Sequence, residues 1–398
     1  MTEQKHTSCT PREELYERIG KFQERLRKAD IQAALVVQKA DLFYFSGTCQ
    51  DAHLLIPAQG EPLLMVRKSY ERALEDSALE KIIAVRSFKD IGGSISGVIN
   101  GKARIGMELD VLPVNLFSRY RKMLEPLEIV DVSGLIREIR MIKTPYEIEY
   151  LRDAASLTSE MFAEIPNFIK EGMTEIELSG KIELFLRLRG NQYPRIRAFN
   201  QELSIHILSG WNSAYPSYFD GPTGGRGVNP SYPIGSGYKK IGRNEPILID
   251  YGPVLNGYMV DHTRIYSFGP LSDKLLEAHN TALAIKRKVA QEAKPGVDGK
   301  DLYDVALSMA EQSGFAGHFM GYGYSVNFIG HGVGLELDDL PVIAKNYSIA
   351  MQPGMIIALE PKFIFPDEGT VGIEDTFIVT EKGLEPFIPT LDDAIQIL

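Results

Sequence analysis

The sequence predicts a mixed α/β (α+β) protein of two domains, a small one over residues 10–136 and a larger one over residues 137–398. Three observations support this. A chain of 398 residues is too long for one ordinary core. Up to Ser133, short apolar strands alternate with helical stretches, as in an α/β layer. Beyond Thr144, helices with clear start signals lead into two hairpins that each carry a pair of carboxylates.

In the first domain, Pro11–Asp30 has apolar residues at helical spacing between charges. Ala33–Val37 reads as a strand, followed by the aromatic segment Leu42–Phe45, which ends at Ser46-Gly47. Leu54–Pro57 and Pro62–Val66 form a hairpin pattern around Gln59-Gly60. Helical Tyr70–Leu79, strand Ile82–Val85, strand Ile105–Met107 and helix Val114–Met123 complete the layer. His53 stands alone there, with no partner at catalytic spacing.

The boundary falls around Arg137–Thr144. Thr144-Pro145-Tyr146-Glu147 is a capping box with proline at the first helical position, and Thr174-Glu175-Ile176-Glu177 is a second box. They open helices to about Phe168 and Arg189. Leu203–Leu208 reads as a strand. Ser213–Gly242 is a long stretch of Gly, Pro, Ser and Tyr, the composition of a functional wall or lid; it contains no phosphate-cradling glycine motif. Helices over Ser272–Ala293 and Asp298–Ser313 lie between the two hairpins.

The first hairpin, Ile247–Gly269, turns at Asn256-Gly257, a strong type I′ signal. Counting outward from that turn, Leu255 faces Tyr258, Gly252 faces Asp261 and Asp250 faces Thr263. Side chains alternate, so Asp250, Asp261 and Thr263 share one face and His262 takes the other. In the second hairpin, Met355–Thr380, Glu360 and Glu374 lie at similar distances from the PDEGT turn and should be opposite one another. Carboxylates crowded among apolar strands repel, and one would take up a proton unless a cation separates them. A metal is one solution. Solvated hairpins are another. So is a salt bridge, for which only Lys362 is near at the right parity. Gly330-His331-Gly332 adds an imidazole framed by glycines, which permit close approach. One imidazole and mostly oxygen donors suit divalent Mn, Co, Fe or Zn.

Net charge of -10 argues against a nucleic-acid partner. No apolar run approaches the ~18 residues of a membrane span. Two cysteines, Cys9 and Cys49, provide no disulfide framework and fit a reducing, cytoplasmic setting.

Asp250-Tyr-Gly, Gly257-Tyr258-Met-Val-Asp261-His-Thr263-Arg264, Gly330-His331-Gly-Val-Gly, Leu359-Glu360-Pro and Ile373-Glu374-Asp375 resemble, in order, the signature segments of the prolidase, aminopeptidase P and creatinase family. Ala33–Gly47 and Ile139–Ala154 are similar to that family's N-terminal domain and linker helix. The resemblance implies a creatinase-like N-terminal domain, then a pita-bread catalytic domain with a curved antiparallel sheet flanked by helices. It implies two divalent metal ions: Asp250 and Asp261 on one, His331 and Glu360 on the other, with Asp261 and Glu374 bridging. Glu360 would also accept the proton from the attacking water. The implied activity is that of an Xaa-Pro dipeptidase or aminopeptidase acting on small peptides, and the implied assembly is a homodimer.

The chain departs from that pattern around the metals. Ser217, Asn327 and Asp338 stand where histidines are usual, and Gly372 stands where an arginine is usual. Of seven histidines, only His331 lies at a position expected to be catalytic; His206 and His318 are not expected to reach the metals. Losing one oxyanion donor costs ~10²–10³ in rate, so other groups must compensate or the substrate pocket is altered. Arg226 is the candidate carboxylate clamp and Asp338 the candidate acid/base group. Ser217, Asn327 and Tyr322 are the candidate substrate contacts. The alternatives are a non-peptidase enzyme on the same scaffold, a creatinase-like or other small-molecule amide hydrolase or lyase, and a catalytically silent binding protein.

Overall fold

The computed structural model describes residues 9–99, 101–197, 201 and 206–398. The chain forms two compact units, Met1–Arg140 and Met141–Leu398. Among the described residues no helix is long and apolar enough to cross a membrane.

Among its described residues the first unit has six strands: β1 (Ala33–Val36), β2 (Asp51–Pro57), β3 (Leu63–Lys68), β4 (Ile82–Ala84), β5 (Arg104–Met107) and β6 (Glu128–Asp131). They form one sheet in the order β4-β3-β2-β1-β5-β6. The expected hairpin is the antiparallel pair β2–β3. Helix Arg12–Lys28 buries Leu15, Ile19, Phe22 and Leu26, one face at three- and four-residue spacing. The aromatic segment lies in a helix, Lys39–Ser46, closed by Gly47 in the left-handed region at φ 76°. A helix at Phe88–Ser96 was not expected, because Gly92-Gly93 weakens the pattern; its capping box, Ser87 with Asp90, was nonetheless present in the sequence. His53 is buried, and its Nε2 lies 2.8 Å from the Tyr120 hydroxyl.

Both expected capping boxes of the second unit form, at Thr144/Glu147 and Thr174/Glu177. Among the described residues fifteen further strands follow: β7 (His206–Ser209), β8 (Ile247–Asp250), β9 (Val254–Leu255), β10 (Tyr258–Met259), β11 (Thr263–Ser267), β12 (Gly321–Tyr322), β13 (Tyr324–Ser325), β14 (Phe328–Gly332), β15 (Asp339–Ala344), β16 (Ile356–Leu359), β17 (Lys362–Phe365), β18 (Gly369–Gly372), β19 (Asp375–Thr380), β20 (Gly383–Pro386) and β21 (Gln396–Ile397). The part of the expected strand before His206 lies outside the described residues. The sheet orders that position the site are β21-β11-β8-β7 and β15-β14-β16-β19-β20, with β17–β18 as a separate pair.

Each larger sheet has a helix pair on one face. Met161 and Ile165 of helix Pro145–Phe168, with Leu178 and Ile182 of helix Glu175–Arg187, pack on Ile207, Ile247, Ile249 and Tyr266. Ala282, Ile285 and Val289 of helix Asp273–Glu292, with Leu302 and Ala306 of helix Gly299–Gln312, pack on Ile329, Ile357 and Phe377. Strand alternation then fixes the rest. With Ile249, Ile357 and Phe377 turned towards helices, Asp250, Glu360 and Glu374 must turn to the opposite face.

Candidate metal centre

The first hairpin folds in the counted register. Tyr258 pairs with Leu255 and Thr263 with Asp250, with no bulge between. Asn256 and Gly257 take φ of 52° and 87°, as a type I′ turn requires. Thr263 donates its hydroxyl to Glu374 Oε2 at 2.9 Å, joining the two hairpins on the acid-bearing face. His262 is buried on the other face, with Nε2 4.0 Å from Asp375.

The second hairpin is split. Leu359 pairs with Asp375 in one ladder, and Lys362 pairs with Gly372 in the next. Both share one register, so Glu360 and Glu374 are opposed at the gap between ladders. Each is held by a third strand: Glu360 N donates to Ile329 O, and Thr263 N donates to Glu374 O. Gly330 and Gly332 allow the strands beside His331 to approach; a Cβ on either would lie 2.7 or 2.3 Å from a neighbouring carbonyl oxygen.

Asp250, Asp261, His331, Glu360 and Glu374 are thereby gathered on one face. His331 Nε2 is 3.7 Å from Glu360 Oε1 and 3.9 Å from Glu374 Oε1. Its Nδ1 lies 3.2 Å from Gly332 O, which assigns the proton to Nδ1 and leaves Nε2 facing the carboxylates as a donor atom for a metal. Asp261, His331 and Glu374 each bring a ligand atom within 4.8 Å of one another.

A lysine ammonium stands among these acids. Lys362 Nζ donates to Asp250 Oδ2 at 3.1 Å, Glu360 Oε2 at 2.8 Å and Glu374 Oε2 at 2.8 Å, and its side chain is only 1% exposed. Burial alone would lower its pKa; Asp250, Glu360 and Glu374 override that and hold it well above the usual lysine value. One ammonium does not balance four carboxylates. Burial, and then repulsion from Asp250, push Asp261 well above the ordinary carboxylate range; burial and repulsion from Asp261 do the same to Glu374. A hard divalent cation fits the remaining donors, one imidazole nitrogen and several carboxylate oxygens. Gly372 lies directly across from Lys362, and a Cβ there would meet Lys362 Cα at 2.7 Å and Cγ at 2.9 Å.

His206 corrects a sequence expectation. It pairs with Asp250 across β7–β8 and therefore shares its face. Its Nε2 is buried with no hydrogen-bond partner among the described residues. Burial holds its pKa below the ordinary histidine value, with Asp250 opposing. Only long-range strand pairing brings it here. His318, by contrast, stacks on Phe365 and bonds through Nδ1 to Ile364 O.

The remaining candidates have other partners. Asp338 Oδ1 accepts from Arg197 N at 3.0 Å. Arg226 is exposed, and its guanidinium lies 5.2 Å from the Tyr215 ring centre. Ser217 donates to Pro233 O. Asn327 is exposed. Tyr322 is exposed and stacks on His318.

Comparison with known proteins agrees with this geometry. Residues 149–381 match the model of metallopeptidase family M24, and residues 18–142 match the creatinase/prolidase N-terminal domain. An Xaa-Pro dipeptidase of Pyrococcus furiosus is 26% identical over 376 residues, covering 94% of this chain and 98% of its own. An Xaa-Pro dipeptidase structure from Bacillus anthracis superposes with a TM-score of 0.83 at 26% identity, covering 96% of this chain and 100% of its own. The prolidase of Pyrococcus horikoshii gives 0.81 at 26% identity, covering 95% and 100%. With both domain models matched and five donor side chains gathered on one face, the chain belongs to metallopeptidase family M24.

Proposed function

We propose that this protein is a metal-dependent hydrolase that cleaves short Xaa-Pro peptides. The supporting observation is the convergence of Asp250, Asp261, His331, Glu360 and Glu374 in one cluster, with Asp250 and His331 half-buried and the others buried, in a chain whose relatives include Xaa-Pro dipeptidases. Asp261, His331, Glu360 and Glu374 are the residues that would hold a divalent ion, with Mn, Co, Fe or Zn all compatible with the donor set. Such an ion supplies Lewis acidity and a lowered water pKa. Glu360 would accept the proton of the attacking water, and Lys362 donates to its Oε2 and so fixes the carboxylate plane. Thr263 and Lys362 orient Glu374 from the other side. Arg226 and Asp338 receive no step in this scheme, since each is engaged elsewhere. A homodimer and a reducing, cytoplasmic setting belong to the same reading; the first rests on family resemblance and the second on the free Cys9 and Cys49.

A second reading is favoured by Lys362 and by the non-histidine residues at Ser217, Asn327 and Asp338: hydrolysis or elimination on a small carboxylate metabolite, on the same scaffold. An Xaa-Pro dipeptide panel separates the two. The peptidase reading expects proline release after loading with Mn or Co, its loss on chelation, and a fall of ~10² or more in Glu360→Gln. Metal-loaded protein that hydrolyses the Xaa-Pro bond of no dipeptide or tripeptide rejects it in favour of the second reading.

A further inference from the structure

We infer that Lys362 permanently occupies the place of one of the two cations expected at this centre, so that the chain binds a single divalent ion, on the His331 side. The inference rests on the metal-dependent reading above, but not on the identity of the substrate.

The oxygens divide into two sets. An ammonium has three protons to donate, and Lys362 directs them to Asp250 Oδ2, Glu360 Oε2 and Glu374 Oε2. Glu374 Oε2 also accepts from Thr263. These atoms lie on the Asp250 side of the cluster. The other oxygens of the same glutamates, Glu360 Oε1 and Glu374 Oε1, face His331 Nε2 at 3.7 and 3.9 Å. Two ligands each ~2.0–2.2 Å from one ion stand no more than ~4.4 Å apart, so these spacings suit a single ion. Asp261 completes that set with His331 and Glu374.

A second ion would need Asp250 together with oxygens already committed to Lys362, and would sit against a buried ammonium. Like charges at that range in a buried site repel strongly. The lysine has little freedom to withdraw. Its backbone is fixed in the β17–β18 ladder opposite Gly372, and strand parity turns its side chain to the same face as Glu360. The missing side chain at Gly372 leaves the space that the Lys362 stem passes through, since a Cβ there would overlap Lys362 Cα and Cγ. The position is thus built to receive this side chain.

The test is a metal count on the full chain, stripped with chelator, reloaded with Mn(II) alone and freed of excess. About one Mn(II) per chain is expected, with an uncoupled Mn(II) resonance. Lys362→Met should take up a second ion and show exchange coupling, and His331→Ala should lose the single ion of the parent protein. Two coupled ions in the unsubstituted chain, or none, would overturn the inference. So would a folded Lys362→Met that still binds one. If Lys362→Met does not fold, the count and resonance of the unsubstituted chain decide alone. Because no substrate enters, inactivity on Xaa-Pro peptides leaves the inference standing. A two-ion count would remove it while leaving the peptidase reading intact.

Discussion

Glu374 and Asp375 are adjacent, and both are buried, yet they enter opposite surroundings. Asp375 turns to the helix-covered face and meets Arg264 at 2.7 Å and Lys286 at 2.7 Å. Burial pushes its pKa up, but the two cations override this and hold it below the ordinary value. Glu374 turns the other way and shares one lysine with Asp250 and Glu360; burial and Asp261 push its pKa well up. A structural acid is given as much positive charge as it needs. An acid cluster left short of positive charge is poised to recruit it.

The largest effect expected from breaking this contrast is at Asp375. Asp375→Ala would leave Arg264 and Lys286 to share Asp393, and should cost about 3 kcal/mol in urea-induced unfolding, the low end for a broken buried pair. Measured stability within ~1 kcal/mol of the parent would show that Asp375 is not the counter-charge for that face.

A third buried group, His53, sharpens the comparison because burial outweighs its nearby counter-charge, Asp51. Burial pushes its pKa from 6.5 down to about 4. The unfolded chain takes up that proton first as the pH falls, so the group's contribution is complete above pH 6.5 and is lost as the pH drops towards 4. It should amount to up to about 3 kcal/mol, read as the pH slope of first-unit unfolding, and should vanish in His53→Gln. An unchanged slope in that variant would assign the acid sensitivity elsewhere.

The smallest effect tests the device that separates the two faces. Gly257→Ala places a Cβ at φ 87° in the hairpin turn, and should cost ~1 kcal/mol. A larger loss, accompanied by loss of bound metal, would mean that the turn sets the register at Asp250 as well as local strain.

Much of this contrast was legible in the sequence because it depends on parity. The Asn256-Gly257 turn fixes the pairing through Asp250 and Thr263, and counting is reliable when no bulge intervenes. Glu360 opposite Glu374 was legible for the same reason. The gap between their ladders was not, since it depends on strands from elsewhere in the chain. Lys362 stood at the right parity throughout, but a sequence does not reveal whether a lysine reaches inward or out to solvent. His206 was hidden by distance: about forty residues separate β7 from β8, and no local pattern reports their pairing. Helix Phe88–Ser96 was concealed by its glycines although its cap was readable.

The gap between the β16–β19 and β17–β18 ladders has one further consequence. Glu360 is tied through its backbone to β14, and Glu374 to β11, so backbone bonds from both larger sheets meet at this one pair. A shift of β11 against β14 would pull on the two acids separately. A cation held between them therefore acts as a rivet through a seam. Grip on the ion and rigidity of the domain form one linked equilibrium, and tightening either one tightens the other.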